Sequence, residues 1–501
     1  MFSAVCAVAW LSSQDLRADL DALWQERDLK GATVGVLVKE VGGEVLYSKN
    51  PDRLLVPASL MKLATALFVL EALGVDYAPG TYAWREGETV YLWGGGDPGL
   101  SVQDLQVLAE VLPVQPTDKV VFDDSLFGPA SRPPTWESRD FPYGYAAPIR
   151  SLTVEGGKVE LWVEGTRAYL APRNFGLQVE TRIQKGSLTI TVKDPSGGWS
   201  AGVAGVAPSP DPKKVATLSL PDPALSAGRV LHPKAKRGLA PDPPWEFLFL
   251  PAPPNISLSV DKRGRAVVGL RRRTVSQLLK TMLEQSDNVY AETLLRLTAL
   301  KVGGARTWED TLKVFSQFLR LAGVREGAFV LADGSGLSRT NRLSPRAVVT
   351  LLERGITREY SEVLVEGLAV PGEGTLKERL MGIPVACKTG TLSGVSCLAG
   401  ILWQAPPRFF EAKKEPPLRV PGGASPLAPL PTPPYPPSSG SDSWLTPAFR
   451  VQGMRGLTFC IIIQAPQVPA RRLREVQDAL VTRLYQFLQA PAPLGVSVPA
   501  P

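Results

Sequence analysis

Three short strings in this chain carry residue types that could do acyl transfer together: Ser59-Leu-Met-Lys62, Ser286-Asp-Asn288 and Lys388-Thr-Gly-Thr391. A serine and a lysine three residues apart share one face of a helix, so the amine can reach the hydroxyl. The local text around Ser59 predicts such a helix. Pro57 stands just before it, Gly74 just past its end, and the stretch between is rich in Leu and Ala. Ser59 would then sit in the first turn, where unpaired N–H groups and the positive dipole can stabilise an oxyanion.

A serine nucleophile needs a base. The chain has one histidine, His232, in a segment without apolar periodicity, where a solvent-exposed residue with no special role is expected. That argues against a Ser-His-Asp triad and against a His-ligated metal site, and no cofactor or metal is expected. Lysine remains. Burial beside other charges, with Lys388 supplying one of them, can lower the pKa of Lys62 enough for it to act as base.

Each string is weak alone. Ser259-Val-Asp-Lys262 repeats the first spacing, but Ile-Ser-Leu-Ser-Val around it alternates like a strand and sends the two side chains to opposite faces. Ser48-Lys-Asn50 imitates the second in a turn before Pro51. Lys-Thr-Gly occurs only at 388–390.

The elements that would position the second and third strings are also legible. Thr274 and Gln277 form a candidate capping box, and Leu278, Leu279, Met282 and Leu283 make a helical stripe. A second helical run begins after Asn288. Ser286-Asp-Asn288 therefore lies at a helix–helix junction, where hydroxyl and amide can project into a cleft; the alternative is a plain turn and cap. Both flanks of Lys388-Thr-Gly-Thr391 read as strands. Gly390 permits close approach, and a bare strand edge can pair with a peptide.

With these strings in place, the chain resembles the D-alanyl-D-alanine carboxypeptidases/endopeptidases, the class C low-molecular-mass penicillin-binding proteins. Gly94-Gly-Gly-Asp-Pro-Gly-Leu100, Phe122-Asp-Asp-Ser-Leu-Phe127, Tyr145-Ala-Ala-Pro148, Asp333-Gly-Ser-Gly-Leu337 and Gly374-Thr-Leu376 are similar to that family's strings. Class A β-lactamases are similar in motif, but 227 positions separate Ser59 from Ser286, and only the class C proteins insert extra domains there. Glu309-Asp-Thr-Leu-Lys313 lacks the Asn of a deacylating Glu-x-x-Leu-Asn string and reads as helix surface.

The resemblance implies an α+β transpeptidase-like domain, with an antiparallel sheet flanked by helices. It implies catalytic roles for Ser59, Lys62, Ser286, Asn288 and Lys388, and substrate binding by Asp287, Thr389, Gly390 and Thr391. The backbone N–H groups of Ser59 and Thr391 would form the oxyanion hole. The substrates would be peptidoglycan stem peptides, with β-lactams as covalent inhibitors. The alternatives are a strict carboxypeptidase or weak transpeptidase, and a non-catalytic envelope-binding protein with a retired site.

Along the chain, a leader-like apolar segment is expected at 1–14 and the first part of the catalytic domain at 15–77. Inserted β-rich domains follow at 78–262, then a second catalytic part at 263–403. A Pro-rich insertion at 404–455 precedes the third part, 456–489, which ends in an amphipathic helix; a disordered tail takes 490–501. The leader, and the lack of another long apolar segment, point to a protein exported to the periplasm or cell envelope, without a membrane span. The net charge of +7 over 501 residues makes no case for nucleic acid, and Arg271-Arg-Arg273 reads as a solvated helix start. Cys387, Cys397 and Cys460 fall on expected strands and should pack as small apolar groups; a Cys387–Cys397 or Cys397–Cys460 bridge stays open.

Overall fold

A computed structural model describes residues 13–26, 29, 31–172, 175–184, 186–195, 199–251, 253–407 and 455–490. The expectations placed on the leader, on most of the Pro-rich insertion and on the tail therefore lie outside the described residues.

The centre is a five-stranded antiparallel sheet in the order Val385–Leu392, Val395–Trp403, Gly456–Gln464, Thr33–Glu40, Val45–Lys49. An early and a late strand of the chain pair in it, with Thr33 opposite Gln464 and Glu40 opposite Leu457. Alternation explains why this sheet is buried on both faces. Val34, Val36, Val38, Phe459 and Ile461 turn to one side, against Leu16, Leu20 and Leu23 of the helix Ser13–Glu26 and against Leu473, Val476, Leu480 and Leu484 of the helix Ala470–Gln489. Leu37, Cys460, Ile462, Cys397 and Ala399 turn to the other, against the helices Met61–Leu73, Val275–Glu284, Asn288–Gly303 and Pro345–Ile356. Each large apolar side chain so buried contributes about 1.5–3 kcal/mol over exposure. The three strand cysteines are buried free thiols, as expected of small apolar fillers.

Between the first two motifs stands a six-stranded mixed sheet and two three-stranded sheets. The β-rich reading of this region meets one difference in extent. The six-stranded sheet is completed by the hairpin Asn255–Val260 and Ala266–Arg271, whose second strand pairs with Gly80–Glu86. It therefore runs past 262 into the stretch expected to begin the second catalytic part. Two charged features also differ from expectation. Arg271 is buried at the end of that hairpin, while Arg272 and Arg273 reach Asp104. A basic run at a strand end is thus held by acids of the same region. His232 is buried, not exposed: it ends the helix Pro223–Leu231, and its ring bonds Pro116 O and Lys234 N.

Of the imitating strings, the first sits where its text put it, while the second, read as a turn, begins on a strand and only its Asn50 lies beyond it. Ser259 is on the edge strand Asn255–Val260, and Ser48 on Val45–Lys49. Glu309 is an exposed helix residue paired with Lys313.

Candidate active site

Ser59 lies in a tight turn, Ala58–Leu60, that runs directly into the helix Met61–Leu73. Helix spacing brings Lys62 back over it, and Nζ donates to Ser59 Oγ at 3.1 Å. The same amine donates to Asn288 Oδ1 at 2.6 Å and to Ser335 O at 2.8 Å. Lys62 is wholly buried, and desolvation lowers its pKa to about 8 against the upward pull of Asp333 and Glu292. An amine in that range holds a neutral fraction at neutral pH and can accept a proton.

The second string spans the junction between two helices. Thr274 and Gln277 form the capping box of the first. Asp287 caps the second, accepting from Val289 N and Tyr290 N. Its other oxygen pairs with Lys158 of the inserted region. The carboxylate expected to bind substrate is thus engaged in holding Asn288 at the helix start. Ser286, at φ 61°, presents its hydroxyl to Lys388 Nζ at 2.9 Å. Lys388 also donates to Thr389 O at 2.9 Å; burial first, then the nearby Lys62 charge, push its pKa well down. The two amines thus sit in two hydrogen-bonded groups, Ser59–Lys62–Asn288 and Ser286–Lys388.

The third string is on Val385–Leu392, the edge strand of the central sheet. Cys387 exchanges backbone bonds with Ala369 on the outer side, at 2.8 and 3.0 Å. The two-residue period then turns the peptide groups of Thr389 and Thr391 to that same outer side, towards the cleft. Gly390 packs on the nucleophile turn: a β-carbon there would stand 3.0 Å from Ser59 N and 3.1 Å from Pro57 O. The bare glycine is what lets strand and turn meet.

Several supporting groups went unassigned at the level of sequence. Glu292 is fully buried and accepts from Gly334 N and Ser335 N; burial and Asp333 push its pKa up. Its signal was available, because Asn288 and Glu292 are four apart on one helix face. Asp333 accepts from Gly336 N, Ser338 N and Trp136 Nε1. Asn288 Nδ2 donates to Tyr145 O at 2.8 Å. Trp136 and Tyr145 both belong to the inserted region. With Ser59, Ser286, Asn288 and Thr391 they line a cleft of about 720 Å³. Among the described residues no group of His, Cys, Asp and Glu is arranged to hold a metal ion.

A cleft serine held by a buried lysine, a second hydroxyl–lysine pair and a strand edge on an α/β/α sandwich are the arrangement of a serine acyl-transfer enzyme. The chain belongs to the D-Ala-D-Ala carboxypeptidase 3 (S13) family, which matches residues 16–242 and 252–410. It is therefore a serine-type D-Ala-D-Ala peptidase and penicillin-binding protein. The D-alanyl-D-alanine carboxypeptidase of Actinomadura sp. (strain R39) is 31% identical over 427 residues, covering 77% of this chain and 78% of that one. The carboxypeptidase DacB of Mycolicibacterium smegmatis is 24% identical, over 74% and 73% of the two chains. The fold is that of penicillin-binding protein 4 from Haemophilus influenzae, whose crystal structure superposes with a TM-score of 0.65 at 18% identity, over 93% of this chain and 99% of that one.

Proposed function

We propose that Ser59 is the acyl-accepting nucleophile and Lys62 its base, in a DD-peptidase that acts on peptidoglycan stem peptides and is acylated by β-lactams. The contact that carries this reading is Lys62 Nζ on Ser59 Oγ at 3.1 Å, made by a buried amine with a lowered pKa. Ser59 Oγ attacks the carbonyl of the penultimate D-Ala as its proton passes to Lys62. The N–H groups of Ser59 and Thr391 take the oxyanion. Lys62 passes the Ser59 proton to Ser286 Oγ as Ser286, backed by Lys388, gives its own to the departing amine, which leaves Lys62 neutral again, and Asn288 holds Lys62 in line. Lys388 and the Thr389 and Thr391 hydroxyls receive the terminal carboxylate, with Gly390 keeping the strand close. Water then attacks the ester, Lys62 takes the water proton, and Ser59 is regenerated.

The chain is organised for this as one catalytic body split by the inserted region, which starts near residue 78 and continues to Arg271. Among the described residues no helix is long and apolar enough to cross a membrane, and a peptidoglycan substrate supports a location in the periplasm or envelope.

The test is a muropeptide digest with and without prior benzylpenicillin, run beside a Ser59→Ala variant. Penicillin-sensitive loss of D-Ala, with a mass adduct on the parent and none on Ser59→Ala, is expected. An adduct on Ser59→Ala would sink the assignment.

A further inference from the structure

The hairpin that completes the six-stranded sheet borders a hollow of about 200 Å³, which shares no residue with the catalytic cleft. Arg271 stands in its wall with Tyr82 and Phe247. The Arg271 side chain is buried, and Nη2 donates to Tyr82 Oη at 2.9 Å and to Phe247 O at 2.6 Å. Nε is buried without a partner, and among the described residues no carboxylate pairs with this guanidinium. Its neighbours differ, since Arg272 and Arg273 both reach Asp104. Tyr82 does not supply the missing charge, because burial pushes its phenol up to about 12 and keeps it neutral. A buried cation without an anion is unfavourable, and the hollow beside it has the room for one. We infer that this hollow is a second carboxylate site, separate from the catalytic cleft, and that it takes the carboxylate end of a short peptide.

Charge sets the head group. The planar guanidinium matches a carboxylate, and one cation in the wall suits one negative charge. Among the described residues no acid lines the hollow, so an ammonium would find no partner there. The amine beside the carboxylate must therefore be acylated, as it is at a peptide's end.

Alternation sets the rest. Asn255, Ser257 and Ser259 lie two apart on the edge strand Asn255–Val260, and all three line the hollow. Leu258 and Val260 are turned the other way, 69% and 70% exposed. An edge strand shaped by burial alone would put its apolar side inward. Here the inward side offers hydroxyls and an amide, which can meet the peptide group next to the carboxylate. Phe247, Leu250 and Val267 complete the wall and can receive a small apolar side chain. Gly269 pairs with Ser257, and a β-carbon there would stand 3.0 Å from Ser257 Oγ. The glycine thus keeps the space open. The volume is below the range of about 300–1,000 Å³ that holds a drug-sized ligand, which limits the occupant to one or two terminal residues.

The test titrates the full chain with N-acetylglycine, followed by NMR, beside the neutral N-acetylglycinamide, glycine and inorganic phosphate. Saturable binding of N-acetylglycine is expected, with the amide and glycine both much weaker. Ser257→Leu fills the hollow, and Arg271→Met removes its cation; each should weaken N-acetylglycine by at least about tenfold, the worth of a charge-assisted bond. Near-UV circular dichroism checks the fold of both variants, and Ser257→Leu decides if Arg271→Met does not fold. An affinity within about twofold of the parent in Ser257→Leu puts the ligand elsewhere and overturns the inference. A parent that does not bind N-acetylglycine, or binds the amide equally well, overturns it without any variant. Equal binding of glycine, or tighter binding of phosphate, overturns the peptide-end assignment. None of these readouts uses Ser59, so the DD-peptidase reading stands or falls separately.

Discussion

At the scale of single residues, the site depends on keeping one amine dry. Lys62 has no exposed surface, and its pKa falls to about 8 because the charged form loses water. A base works in its neutral form. The rate of benzylpenicillin acylation should therefore rise with pH through an inflection near 8; a rate flat from pH 6 to pH 9 would contradict the role of Lys62. Lys62→Arg places a permanently charged group there, and should slow acylation by about 10²–10⁴-fold, the usual worth of a general base. Gly336 is a second pressure point at this scale. It sits at φ +81°, and a β-carbon there would stand 1.7 Å from Ala58 O. Gly336→Ala should therefore displace the nucleophile turn, with both thermal stability and acylation reduced; an unchanged acylation rate would refute the tight fit. These single-residue features were unequally legible. Ser59 and Lys62 could be paired from spacing, because three residues on a helix bring them together regardless of the rest of the chain. The bond from Lys62 to Ser335 O could not, because it joins positions 273 apart.

At the scale of elements, the proposed catalytic groups other than Lys388, which stands in mid-strand, are set by junctions. Ser59 precedes a helix, Asn288 opens one, and Thr391 lies near the end of an edge strand. Junctions announce themselves in sequence through caps, prolines and glycines. That is why Thr274 with Gln277, Pro57 and Gly74 placed the first two motifs well. The long-range partners of those junctions have no such local signature. Asp287 shows the difference. It reads as part of a binding motif, yet its carboxylate caps the helix of Asn288 and pairs with Lys158. Asp287→Ala should cost about 1–2 kcal/mol of stability, mostly from the lost cap, and should slow acylation by loosening Asn288. Asp287→Asn keeps a capping oxygen and should recover most of the stability. Thermal unfolding of the two variants checks this; equal losses would mean that the Lys158 pair, not the cap, is what matters.

At the scale of the whole molecule, the inserted region and the catalytic body share one spine, the helix Asn288–Gly303. Asn288, Glu292 and Arg296 follow one another at four-residue steps along one stripe of it. Asn288 meets Lys62, Glu292 holds the 334–335 backbone, and Arg296 reaches out of the catalytic body. Its guanidinium donates to Ala130 O at 3.0 Å, to Phe127 O, and to Arg306 O at 2.5 Å, with Cζ 4.4 Å from the centroid of the Trp308 ring. Burial lowers its pKa to about 10, so it stays charged at neutral pH. No pattern in the sequence links position 296 to 127–130; only the packed fold does. Removing the donor leaves buried carbonyls unsatisfied at about 1–3 kcal/mol each. Arg296→Met should therefore lower stability by about 3 kcal/mol, read as a lower urea midpoint. The inserted region also carries Tyr145, which holds Asn288, and Trp136, which holds Asp333. A loosened insert should then slow penicillin acylation even where the protein remains folded. If Arg296→Met unfolds earlier but acylates at the parental rate in native buffer, the inserted region stabilises the molecule without positioning its catalytic groups.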